Sequence, residues 1–144
     1  MVEIDWCKKQ LRGISLIGSN LDLGKSYLED SYGSLKVALN SEGKWRVVTA
    51  YYACYDALYG ILMKCGIKSE IHDCSIKLME LFDFSNEDVV FMKKMKQDRI
   101  NSQYYRMEIK LNDLNRVKEF IFRCERIYRD LDDGRINKIR ELFE

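Results

Sequence analysis

The chain has 144 residues, of which 47% are hydrophobic and 33% are charged, and its net charge is +1. This length and balance are typical of one soluble globular domain, residues 1–144, with a single core. No apolar run reaches the roughly 18 residues of a membrane span, which excludes a membrane-spanning helix. The small net charge argues neither for nor against a nucleic-acid ligand.

The proline and cysteine content gives further information on the fold class and on the cellular compartment. There is no proline, which removes the strongest helix breaker and favours long uninterrupted helices. The five cysteines form no Cys-x-x-Cys pair, and most fall at apolar-periodic positions, where a free cysteine behaves as a small hydrophobe. We therefore expect reduced thiols in a cytoplasmic protein. The first residues carry early acids and no apolar stretch, so we expect no signal peptide.

Apolar periodicity places three helices in the first half of the chain. A short helix is expected over 3–12, followed by a glycine-bearing loop over 13–24 and a second helix over 25–40. The third helix, over 43–64, has the strongest pattern, because its apolar residues recur at spacings of three and four and form a wide stripe. Gly66 suits the left-handed position that ends such a helix.

The second half of the chain continues this pattern. A fourth helix is expected over 71–82, and the Ser-Asn-Glu-Asp sequence at 85–88 resembles a capping box that begins the fifth. The sixth helix is expected over 114–131 and is ended by Gly134, with a last amphipathic turn or two over 135–143. No segment shows a convincing strand pattern. The sequence therefore predicts an all-α, up-and-down bundle of about five to six helices.

The segment from Gly18 to Ser26 resembles a P-loop at first sight. A P-loop has four residues between its glycines, because its backbone amides must converge on one phosphate, and here five residues separate Gly18 from Gly24. The predicted fold also lacks the alternating strands that surround a P-loop. We interpret this segment as a glycine-bearing loop before a helix.

His72 is the only histidine, and it falls in the first turn of the fourth predicted helix. The partial positive charge of a helix N-terminus favours a neutral imidazole, which can act as a base. A lone histidine at this place more often caps the helix or faces solvent. One histidine and scattered cysteines argue against a zinc site, and we expect neither a metal nor a cofactor.

The third helix carries tyrosines that can be mistaken for a base-stacking platform. Tyr51, Tyr55 and Tyr59 lie at helical spacing beside valines and leucines, which favours a core role with their hydroxyls at the edge of the bundle. Tyr52 and Asp56, four residues apart, are expected on a different face of this helix.

Residues 91–110 are the most basic part of the chain, with six basic side chains against two acids. Such a patch attracts phosphate even in a nearly neutral molecule, although a solvated helix face is the commoner explanation. An arginine binds phosphate through its bidentate fork, and a tyrosine can donate a hydrogen bond or a proton. Arg99 and Tyr104 are about 140° apart on a helix, so a kink or a cleft between helices is needed for both to reach one ligand. The candidate phosphate-binding residues are Arg99, Arg106, Lys96 and Tyr105.

The third helix and the basic segment together resemble the HEPN family, the nucleotide-binding domains of higher eukaryotes and prokaryotes. The likeness rests on residues 45–62, which contain the sequence Ala-Tyr-Tyr-Ala, and on His72 at a family-like distance after them. The segment from Arg99 to Tyr105, which closes the next long helix, completes it. The resemblance spans roughly residues 22–131, most of the chain.

This resemblance implies a four-helix core in a bundle of four or five helices, usually a homodimer whose arginine-bearing helices line a shared cleft. Many members resemble metal-independent ribonucleases, in which an arginine and a nearby downstream histidine cleave RNA with its own 2′-hydroxyl. They often act as toxins paired with a small nucleotidyltransferase antitoxin. By position Arg99 matches the motif arginine, Tyr104 stands in place of the histidine, and Arg106 replaces a tyrosine found in some members.

Three functions are compatible with these features. The first is a binding module that holds a nucleotide or an RNA phosphate in a basic dimer cleft and partners a nucleotidyltransferase. The second is a metal-independent ribonuclease toxin, in which Arg99 stabilises charge on the phosphorane and Tyr104 or His72 handles a proton. The third is a non-catalytic helical assembly protein.

Overall fold

A computed structural model describes residues 2–144 and confirms an all-α helical bundle. Within these residues none of the helices is long and apolar enough to cross a membrane. The elements in chain order are α1 (Ile4–Lys9), β1 (Ile14–Leu16), α2 (Leu21–Leu39), α3 (Gly43–Cys65), β2 (Ile67–Ser69), α4 (His72–Lys77), a 3-10 helix (Leu78–Leu81), α5 (Asn86–Gln103), α6 (Asn115–Asp130) and α7 (Asp133–Glu141).

Helix α3 is the centre of the bundle and packs against α2, α5 and α6. Its apolar stripe is buried as predicted, and Leu58 and Leu62 are fully enclosed. Helix α2 crosses it closely because two glycines meet there: a methyl group on Gly24 would lie 2.8 Å from the Gly60 carbonyl oxygen. The predicted third helix and its apolar stripe are confirmed.

Local signals at the helix ends are also confirmed. Gly66 follows α3 with a φ of 70°, the left-handed conformation that ends the helix. Ser85 and Asp88 form the capping box of α5, since each side chain accepts a hydrogen bond from the backbone N–H of the other. Helix α2 begins at Leu21, four residues earlier than predicted, because the Asn20 side chain accepts from the Leu23 N–H and caps the helix there.

Three details of the sequence-based prediction are wrong. Two short strands exist where none was expected, and they pair antiparallel with Ser15 opposite Lys68. The predicted fourth helix divides into α4 and the 3-10 helix. Gly134 lies inside α7 and does not end α6, because Asp132 caps α7 through the Arg135 N–H. The strand pairing joins segments far apart in the chain, which periodicity within one segment cannot reveal.

The expectation of reduced thiols is wrong for two of the five cysteines. Cys7 and Cys74 form a disulfide that joins α1 to α4 at a sequence separation of 67. Both are buried, so the apolar pattern that suggested free thiols is equally compatible with a core disulfide. Burial raises the pKa of the free thiols Cys54, Cys65 and Cys124, to about 11 for Cys65, which keeps them protonated and unreactive at neutral pH.

A buried carboxylate holds α5 against α6. Asp88 is completely enclosed, and its oxygens accept hydrogen bonds from Arg116 at 2.9 Å and from Arg123 at 2.6 and 2.7 Å. Burial alone would raise the pKa of Asp88, but hydrogen bonds from these arginines and from the Ser85 N–H outweigh it and lower the pKa. The first turn of α5 is therefore anchored, which fixes how the rest of this helix lies against α3.

Candidate functional site

The candidate site is centred on Arg99, which lies on α5 and packs against α3. Its side chain is only 8% exposed. The guanidinium carbon lies 5.0 Å from the ring centroid of Tyr51 and 5.5 Å from that of Tyr52, so the cation rests against two aromatic faces. Nη1 makes two long hydrogen bonds, to the Tyr52 hydroxyl at 3.4 Å and to Gln103 Oε1 at 3.5 Å.

The hydrogen-bonding capacity of Arg99 is largely unused. Its Nε is buried and has no acceptor within residues 2–144, and the guanidinium forms no ion pair with any carboxylate in that part of the chain. A buried donor left without an acceptor costs about 1–3 kcal/mol. A guanidinium without a carboxylate partner has the charge and the donor geometry that bind an anion.

His72 lies at the start of α4 and faces the same two tyrosines. Its Nδ1 is 2.7 Å from the Tyr51 hydroxyl oxygen, and its ring stacks on Tyr55 with 4.0 Å between centroids and 14° between planes. The interpretation of His72 as a helix cap or a solvent-facing residue is therefore wrong. The residue before it, Ile71, is the N-cap of α4, and the imidazole is half-buried among aromatic rings.

The electrostatic environment keeps this imidazole neutral. Burial, together with the positive charges of Arg99 and Lys96, lowers the pKa of His72 to about 4, and Asp73 offsets only part of this effect. Burial also raises the pKa of Tyr51 far above its ordinary value, so the phenol keeps its proton. Because a hydroxyl both donates and accepts, the Tyr51–His72 hydrogen bond satisfies Nδ1 in either tautomer of the neutral ring.

Arg99 and His72 thus meet around one pair of tyrosines. The His72 ring centroid is 5.8 Å from that of Tyr51 and 6.4 Å from that of Tyr52, the same rings that Arg99 contacts. Three helices contribute: α3 supplies the tyrosines, α4 the histidine and α5 the arginine. Of the two tyrosines, Tyr51 is buried and Tyr52 is 36% exposed, so Tyr52 forms the outer edge of the cluster.

Lys96 lies one turn before Arg99 on α5, but its charge is already paired. Its Nζ is 2.8 Å from Oδ1 of Asp73, the residue after His72, and this ion pair joins α5 to α4. Lys96 therefore supports the position of α4 and adds positive potential near the imidazole. Its ammonium is less available to a ligand than the guanidinium of Arg99.

The remaining predicted site residues lie outside the cluster. Helix α5 ends at Gln103, and Tyr104 and Tyr105 follow it with exposed fractions of 66% and 70%. Arg106 is also exposed and adopts a φ of 53°, in the left-handed region. Tyr104 is therefore not brought to Arg99 within one chain, and His72 occupies the neighbourhood where the predicted pairing placed Tyr104.

Sequence reasoning assigned Tyr51 and Tyr55 to the core, and their burial confirms this. It did not assign them a part in the site, although each contacts His72. Tyr52 was expected on another face of α3, and it does reach the surface. The available signal was the Ala-Tyr-Tyr-Ala sequence itself, in which adjacent tyrosines must point in different directions, one to the core and one to a neighbouring helix.

No protein-family model matches the sequence, and the search of curated proteins found no match either. The HEPN resemblance therefore rests on the sequence features quoted above. Within residues 2–144, no three metal-ligating side chains are grouped so that they could hold a metal ion. The chemistry available at the cluster is that of a guanidinium, a neutral imidazole and phenol hydroxyls.

Proposed function

We propose that this chain binds a phosphate group, carried by a nucleotide or by RNA, at Arg99. The phosphate oxygens would accept hydrogen bonds from the guanidinium. Tyr52, at the exposed edge of the cluster, would border the ligand. This proposal follows from the geometry of the cluster and agrees with what the HEPN resemblance implies.

The observation that carries the proposal is that, within residues 2–144, Arg99 has no carboxylate partner and its buried Nε has no acceptor. Buried charges are ordinarily paired, as the fully buried Asp88 is with Arg123 in this same molecule. Arg99 is instead held by two aromatic faces and two long hydrogen bonds. A positive charge preorganised in this way, with its preferred anionic partner absent, is suited to an anionic ligand.

The resemblance extends the proposal to assembly. In a homodimer with a shared cleft, a second copy of Arg99 would face the first, and the two would hold one polyanionic ligand. We further propose that the protein is cytoplasmic and partners a small nucleotidyltransferase in a toxin–antitoxin-type pair. Sedimentation of the purified chain tests the dimer, and co-purification with the product of an adjacent nucleotidyltransferase gene tests the partner.

Calorimetric titration with a nucleotide and with a short RNA tests the binding itself. Replacing Arg99 by alanine removes hydrogen bonds between charged groups, each worth about 1.5–3 kcal/mol, so we expect a loss of affinity of roughly 10-fold to 100-fold. Arg126→Ala is the matched control, because Arg126 is an exposed arginine on α6. Equal affinity of the wild type and the Arg99 variant would remove Arg99 from the site.

A ribonuclease toxin is the second candidate, favoured by the position of His72. The imidazole is neutral at pH 7 and lies beside the same tyrosines as Arg99, so it can accept a proton near a phosphate held there. Incubation of the purified protein with RNA and EDTA tests this function, with Arg99→Ala, His72→Asn and Tyr104→Phe compared. Cleavage that survives Arg99→Ala would contradict it. If neither binding nor cleavage is found, a helical assembly protein is the remaining function.

A further inference from the structure

We infer that His72 is a second, proton-dependent contact for the anion held at Arg99: the imidazole takes up a proton as the anion binds. This inference rests on the proposed function, and it adds a dependence of anion affinity on pH at that site. With His72 neutral, the site presents one cation to the ligand, that of Arg99. With His72 protonated, it presents two.

The geometry brings the imidazole and the guanidinium to the same tyrosine pair. Arg99 lies 5.0 and 5.5 Å from the centroids of Tyr51 and Tyr52, and His72 lies 5.8 and 6.4 Å from them. Stacking on Tyr55 fixes the plane of the imidazole, and the Tyr51 hydroxyl forms a hydrogen bond with Nδ1. Nε2 is the ring nitrogen left to contact a ligand.

The Tyr51 hydroxyl can form its hydrogen bond with Nδ1 of His72 whether the imidazole is neutral or protonated. It can donate its hydrogen to an unprotonated Nδ1, and by rotating its O–H bond it can accept a hydrogen from a protonated Nδ1. The 2.7 Å contact therefore survives protonation without movement of the backbone. In the imidazolium form Nδ1–H donates to the Tyr51 oxygen, and Nε2–H is free to donate to the anion.

The charges that face His72 explain why its imidazole stays neutral until an anion binds. Helix α5 presents Arg99 and Lys96, α4 presents Asp73, and α3 presents only neutral phenols, those of Tyr51, Tyr52 and Tyr55. Asp73 forms an ion pair with Lys96 and offsets part of its charge, and Arg99 is the cation that opposes protonation most strongly. An anion bound to Arg99 would therefore cancel most of the charge that opposes protonation of the imidazole.

Thermodynamic reciprocity sets the direction of the effect. If the anion raises the pKa of His72 from about 4, protonation of His72 must strengthen anion binding by the same factor. Affinity then rises as the pH falls through the higher pKa of the complex, and it levels off below the pKa of the free protein. Each unit by which the pKa rises corresponds to about a 10-fold gain in affinity.

The test uses a thymidine dinucleotide, dTpdT, as the probe, because its single phosphodiester cannot be cleaved through a 2′-hydroxyl and keeps one charge over the pH range. Calorimetry is performed on the full chain from about pH 7.5 to pH 5. If the anion raises the pKa of His72 by about two units, we expect the affinity of the wild type to rise about 10-fold over this range, and His72→Gln to remove this rise. Arg99→Ala should weaken binding by roughly 10-fold to 100-fold at both ends of the range.

Asp56→Asn is the matched control for other titrating groups. Burial raises the pKa of Asp56 to about 6, so it also takes up a proton in this range, but it lies on another face of α3. We expect this variant to keep the full pH dependence. Circular dichroism of each variant at each pH establishes that the fold is unchanged.

Nuclear magnetic resonance supplies a second readout, because His72 is the only histidine and its ring signals need no assignment. We expect its pKa to rise on addition of dTpdT, and also to rise in Arg99→Met without any ligand. Binding that depends on Arg99 but not on pH, with an unmoved imidazole titration, would overturn this inference and leave the proposed function standing. Absence of any binding that depends on Arg99 would overturn both.

Discussion

The guanidinium carbon of Arg99 lies 5.0 Å from the ring centroid of Tyr51, whose hydroxyl is 2.7 Å from Nδ1 of His72. Tyr51 is completely buried, so one core side chain links a cation on α5 to an imidazole on α4. This linkage explains how two residues 27 positions apart share an environment. It also means that the site depends on the packing of α3 and cannot form on a single helix.

Replacing Arg99 by methionine should not destabilise the protein, and we expect a gain of about 1 kcal/mol in the free energy of unfolding. Methionine keeps much of the contact with Tyr51 and Tyr52, while the buried Nε–H without an acceptor is removed. Urea denaturation measures the change. A loss of more than about 1 kcal/mol would show that Arg99 stabilises the fold and would weaken its assignment as a ligand residue.

Asp88→Asn should be strongly destabilising, by about 2–4 kcal/mol, because Arg116 and Arg123 would lose their shared anionic partner. The pKa of Asp88 is lowered in the folded state, so its contribution is present above the pKa of the unfolded chain, about 4, and is lost as the pH falls through the folded value. Urea denaturation at neutral and acidic pH should show a smaller loss on acidification in the variant. Asp130→Asn, at an exposed position, should match the wild type.

The disulfide between Cys7 and Cys74 should protect two of the five thiols. Thiol titration of the unfolded, unreduced protein is expected to count three free thiols, and five after reduction. The loop between the bonded cysteines is long, so the Cys7→Ser, Cys74→Ser double variant should lose up to about 4 kcal/mol of stability. A count of five thiols before reduction would instead support the reduced protein that the sequence suggested.

Two glycines on α2 should respond in opposite directions to alanine. In Gly24→Ala the new methyl group would lie 2.8 Å from the Gly60 carbonyl oxygen, so we expect a loss of about 1–3 kcal/mol. In Gly33→Ala the methyl group meets nothing within 4 Å, and the better helix propensity of alanine should add about 1 kcal/mol. Thermal denaturation of the pair measures both effects. Similar results at the two positions would contradict the close crossing of α2 and α3.

The helices and their order could be predicted because the signals that specify them are local. The capping box of Ser85 and Asp88 lies within four residues, and the apolar stripe of α3 repeats at every turn. Gly66 likewise ends α3 through its own backbone conformation. The basic segment was also visible in the sequence, and within it Arg99 was singled out as the phosphate-binding candidate, which stays a prediction.

By itself the sequence determined an all-α bundle in which the third helix carries a wide apolar stripe, and it identified Arg99 and His72 as separate candidates. Only the tertiary structure decided that these two meet at Tyr51 and that Tyr104 lies elsewhere, on an exposed turn. The pairing of Cys7 with Cys74 was likewise decided only by the tertiary structure. The physical reason is that periodicity fixes which face of a helix is buried, whereas contacts between helices depend on how α1, α4 and α5 are placed around α3.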